Sequence, residues 1–139
     1  KMAVNQKERG QTIALYAIIL PLMAVFLMGL LDYMTTSVRM MDAVAVGDLA
    51  AHAGAQEIEV LPHGVIRATA AGNAVAATYF RNQAPSYLNL NSVQCGRYQG
   101  RPACRVQAGV LTPGFLFPQR WIAIDTVGYL AHGVTREDQ

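Results

Sequence analysis

From Ile13 to Leu31 the chain runs for 19 residues without a single charge, and no other feature constrains its fold as tightly. As a helix this run is about 28 Å long, the thickness of a bilayer's hydrocarbon core. A signal-peptide core is usually shorter and ends in a small-x-small cleavage site. Here the run passes into Asp32-Tyr33-Met34-Thr35, so a retained membrane helix is expected. Charge placement agrees. Lys1, Lys7 and Arg9 against Glu8 give +2 before the run, which is the whole net charge of the chain. That is the positive-inside arrangement of a membrane helix, not the broad basic face of a nucleic-acid binder. Charged residues make up only 14% of the chain, so much of its surface is expected to meet lipid or protein.

No helix stop follows Leu31. Apolar positions continue through Val38, Met41, Val44 and Leu49 toward Val60, and Leu61-Pro62-His63-Gly64 is the first terminator. One helix over about residues 8–60, roughly 80 Å long, is the reading. Pro21 lies inside it, where the ring clashes with the carbonyl four residues back, so a bend near Ala17 is expected. Ala43, Gly47, Ala51 and Ala55 recur every four residues and share one face. Helix propensity accounts for the alanines, but Gly47 and Gly54 each cost about 1 kcal/mol in a helix interior. Close packing of this face is therefore expected, against another copy of the chain.

A second helix is predicted over residues 65–83, with Ala68, Gly72, Ala76 and Phe80 on one face. Residues 88–93, 104–110 and 121–130 then read as three strands of an antiparallel sheet. The expected fold class is α+β: a long N-terminal hydrophobic helix, a shorter helix and a small three-stranded sheet. It divides into a tail and helix (1–62) and a head (63–139).

Cys95 and Cys104 flank turn-forming Gly96, Gly100 and Pro102, which places them at the neck of a hairpin. The spacing is too wide for a redox Cys-x-x-Cys, and no further metal ligands lie nearby. A disulfide is expected in an extracytoplasmic setting, the alternative being two reduced, buried thiols. His52, His63 and His132 fall on different elements, Glu57 and Glu59 point to different sides, and no catalytic or phosphate-binding motif is visible. The expectation is a protein that is not an enzyme and takes no cofactor or metal. Asp32, at the edge of the apolar run, reads either as an interfacial stop or as one half of an ion pair, with Arg39 or with a neighbouring subunit's cation. Phe115, Leu116 and Phe117 sit between Pro113 and Pro118 in a loop. They either fold back on the sheet or meet a neighbouring subunit, and the second is expected.

Arg9-Gly10-Gln11, Tyr16-Ala17-Ile18-Ile19-Leu20-Pro21 and Gly29-Leu30-Leu31-Asp32-Tyr33 resemble the opening of the TadE/TadG-like family, pilin-like proteins of the tight-adherence (Flp) branch of type IV pili. The run from Asp48 to Glu57 resembles the Ala-rich segment that follows in TadG-like members. The resemblance covers residues 9–57. It implies insertion in the cytoplasmic membrane before assembly, then a place in an extracellular filament of identical subunits that serves adhesion or surface attachment. The partners implied are copies of itself and the pilus assembly machinery, with a minor pseudopilin or membrane-bound assembly component as the alternative. Leu15 stands where such pilins carry Glu five residues beyond the leader glycine. Retention of residues 1–10 is the expectation that follows.

Overall fold

The computed structural model describes residues 6–131, with side chains from Thr12 onward. His132 and residues 1–5 of the basic tail lie outside the described residues. Eight elements follow in order: α1 (Gln6–Gln56), β1 (Glu59–Val60), a 3-10 turn (Pro62–Gly64), β2 (Ile66–Arg67), α2 (Thr69–Gln83), β3 (Leu88–Tyr98), β4 (Arg101–Leu111) and β5 (Trp121–Tyr129). The architecture is α+β.

Helix α1 has 51 residues and runs unbroken through Pro21. It is long and apolar enough to cross a membrane. It stops at Gln56, short of the expected residue 60. Glu57 and Ile58 close onto the carbonyls of Gly54 and Ala55, both at 3.2 Å, three residues back. The next residues then turn extended and pair with β2, in the register Glu59↔Arg67 and Val60↔Ile66. Leu61-Pro62-His63-Gly64 is thus the turn of a small hairpin rather than a helix end, and the division at residue 62 falls inside it. The second helix correspondingly begins at Thr69, later than 65. Its buried face is Gly72, Ala76 and Phe80.

Sheet order is β3-β4-β5, antiparallel throughout. Side chains of β4 alternate, so Cys104, Val106, Ala108 and Val110 face inward, joined by Ile124 and Thr126 of β5. Asn91 is an extra residue in β3, between the pairs Leu90↔Ala108 and Ser92↔Gln107. On the exposed face Arg105 Nε donates to both carboxylate oxygens of Asp125 at 2.9 Å. That bond, the largest influence on the group, holds the Asp125 carboxyl below the ordinary carboxylate range.

Residues 32–56 of α1 lie along this sheet. Their length, about 37 Å, matches the roughly 36 Å of the 11-residue strand β4. The contact is close because small residues face each other. A Cβ at Gly47 would stand 2.8 Å from Thr126 Oγ1, and one at Gly128 would run into the backbone of Ala51 and His52. Gly54 and Gly72 bring α1 and α2 together, a Cβ on either meeting the other's carbonyl oxygen at 2.7 Å. Ala43, Ala50 and Ala51 share one core with Ala76, Phe80, Val106, Val110 and Ile124.

Candidate functional site at the helix and loop junction

The small-residue stripe is the first correction. Ala43, Gly47, Ala51 and Ala55 are all buried against the chain's own sheet and second helix. The face does pack closely, but against elements of the same chain, so it is not free to meet another copy. What remains bare is the inner half of α1. Ile13, Leu15, Ile18, Leu22, Phe26 and Leu31 are representative of an apolar surface exposed all round, and Pro21 is exposed among them.

Cys95 and Cys104 are joined in a disulfide. They pair directly across β3 and β4. The strands run three residue pairs past them, to Tyr98↔Arg101, so the bond lies within the ladder rather than at its neck. Only Gln99 and Gly100 turn, both with positive φ (50° and 79°), the geometry of a tight two-residue hairpin. The bond packs where the helices meet, near Gly54 and Gly72. Replacing both cysteines with serine is expected to lower the unfolding free energy by about 2–3 kcal/mol, since the bond closes a short loop. Denaturant unfolding of the full chain in detergent, with and without the bond, measures it.

For Asp32, the pairing with Arg39 is the part of the expectation that the structure overturns. Asp32 is buried, at 5% exposure, and forms no ion pair among the described residues. Its carboxylate accepts three backbone hydrogen bonds from the tip of the loop between β4 and β5: Phe115 N–H at 3.0 Å, Leu116 N–H at 2.7 Å and Phe117 N–H at 2.9 Å. Consecutive amides converging on one acid form an anion-binding concavity, here filled from within the chain. Arg39 is engaged elsewhere. Its Nη1 donates to Leu111 O at 2.7 Å, and its guanidinium lies 4.8 Å over the Tyr87 ring. Tyr87 in turn donates to Asp42 at 2.6 Å.

The same bonds fix the loop. Its base is closed by Thr112 N–H to Arg120 O and Arg120 N–H to Thr112 Oγ1, each 2.9 Å. Its tip reaches back along α1 to Gly29, where an added Cβ would stand 3.3 Å from Leu116 Cδ2. The loop does not fold back on the sheet: Phe115 and Phe117 are each 62% exposed and Leu116 39%. A cleft of about 440 Å³ opens between Tyr33 and Thr36 of α1 and Pro113, Phe117 and Arg120 of the loop. The sequence singled out Asp32 and the three apolar residues separately. It gave no sign that they meet, nor that Gly29, Thr112 and Arg120 complete the junction.

His52 lies 3.6 Å from Asp48, one helical turn away, and His63 takes a positive φ of 70° in the β1–β2 turn. The two share no site. No protein-family model, curated protein or solved structure matches the chain.

Proposed function

We propose that this chain is a structural subunit of pilin type, held in the cytoplasmic membrane by residues 13–31 before assembly and built into an extracellular filament afterwards. The observation that carries the reading is the division of α1. Its outer half is one wall of the head's core, while its inner half is apolar, exposed on every side and projects from the head. A surface of that size and character needs lipid or protein around it. A bilayer supplies the first, and a bundle of identical helices supplies the second. The resemblance of residues 9–57 to TadE/TadG-like pilins supports the same assignment, with adhesion or surface attachment as the role. Because the Ala43–Ala55 stripe is consumed within the chain, contact between subunits falls to the 13–31 run. The pilus assembly machinery is the further partner in this reading.

Electron microscopy of material sheared from cells is the test, combined with a Phe26→Cys variant. Cys95 and Cys104 are bonded, so position 26 is the reactive thiol among the described residues. Filaments, and an oxidised dimer from the variant, are the expected result. A chain found only in the membrane fraction, without filaments or dimers, would leave a minor pseudopilin or membrane-bound assembly component in its place.

A further inference from the structure

We infer that the loop between β4 and β5 seats the head on the lipid surface: Phe115, Leu116 and Phe117 enter the interfacial zone of the bilayer that holds residues 13–31. Tyr33 and Trp121 lie at headgroup level, and Arg120 reaches the lipid phosphates. The inference rests on insertion of the run in a bilayer and is independent of filament assembly.

Depth is the first ground. Asp32 directly follows the last residue of the uncharged run, and it holds the amides of residues 115–117. Leu116 lies against Gly29, two residues inside the run, or about 3 Å below its end. Wherever the end of the run sits in a bilayer, the loop tip therefore sits at the same level.

Side-chain chemistry is the second ground. Phe115 and Phe117 are exposed, and Tyr33 and Trp121 are 72% and 55% exposed. Phe117 and Tyr33 border the same cleft, and Trp121 opens β5 at the end of the sheet nearest the run. Aromatic rings grouped beside the end of a membrane helix form the belt that favours the boundary between chains and headgroups. Arg120, at the base of the loop, adds a cation on the side of the headgroups.

Backbone satisfaction is the third. An irregular loop is costly in lipid because its N–H groups lack partners. Here the three amides at the tip are bonded to Asp32, and the same bonds cover the carboxylate. The junction thus brings apolar rings toward lipid while hiding the Asp32 carboxylate and the three tip amides.

The test uses the full chain in vesicles of phosphatidylcholine and phosphatidylglycerol. Trp121 is the only tryptophan of the chain. In a Trp121→Phe background, single tryptophans are placed by Phe117→Trp, Phe26→Trp and Tyr98→Trp, and quenching by lipids brominated on their acyl chains is compared. The expected result is strong quenching at 26, quenching of the same order at 117, and none at 98, with native Trp121 quenched weakly and blue-shifted. Quenching at 26 with none at 117 overturns the proposal while leaving membrane insertion intact. An emission at 117 that ignores brominated lipid but shifts as protein density rises also overturns it, in favour of contact with a second copy. No quenching at 26 removes membrane insertion itself, and the seating of the loop with it.

Discussion

Gly128→Val is expected to destabilise the head by about 3 kcal/mol or more, the upper end of what overpacking usually costs. A side chain at position 128 meets the backbone of Ala51 and His52, not a rotatable group, so nothing can swing aside. Relief requires α1 to lift from β5, which opens the contact between Gly47 and Thr126 as well. Gly96→Ala provides the comparison, because an added Cβ there meets nothing within 4 Å. Its effect should stay within roughly 0.5 kcal/mol. Denaturant unfolding of the full chain in detergent, followed by Trp121 fluorescence, separates the two. Equal stability of both variants would show that helix and sheet are not in the close contact described.

The second large effect belongs to Asp32. Asp32→Ala removes the common acceptor of three amides, each bond to a charged group contributing about 1.5–3 kcal/mol. The loop can rehydrate once freed, so a loss of about 2–4 kcal/mol is expected, not the full sum. The more specific signature is local. Amide hydrogen exchange across residues 112–120 should accelerate strongly, while the β3–β4 ladder around Cys95 and Cys104 keeps its protection. Asp32→Asn retains one carbonyl acceptor, enough for Leu116 and Phe117 N–H, but turns an NH2 group toward Phe115 N–H, and should fall between. Unchanged exchange across the loop in Asp32→Ala would mean that something other than the carboxylate holds it.

Much of this architecture was legible in the sequence, because it rests on periodicity. The uncharged run, the Gly72, Ala76, Phe80 face and the alternation of β4 each reflect a spacing that only one kind of element satisfies. Turn signals are less decisive. Gly96, Gly100 and Pro102 all carry turn signals, yet only Gln99 and Gly100 turn, so β3 and β4 run past the disulfide and enclose it within the ladder. The Ala43–Ala55 stripe shows why a partner cannot be named from one face alone. Small residues state that something comes close, and here Gly128, Thr126, Gly54 and Gly72 supply it from within. Asp32 was the least legible. Its partners lie more than 80 residues away and are backbone amides, which carry no residue signature.

β4 runs against α1 and β5 runs with it, since Gly54 lies by Cys104 while Gly47 and Ala51 meet Thr126 and Gly128. The Gln99-Gly100 turn and the end of β5 at Tyr129 therefore share one pole, about 37 Å along the helix from Asp32. Tyr98 and Tyr129 touch there, with ring centroids 6.5 Å apart. A peptide spliced between Gln99 and Gly100 would stand at the tip of the molecule, clear of lipid. The Cys95–Cys104 bond beneath it would act as a clasp, keeping the insertion from unzipping the sheet. That pole is the natural mounting point for an epitope, a dye or a tether.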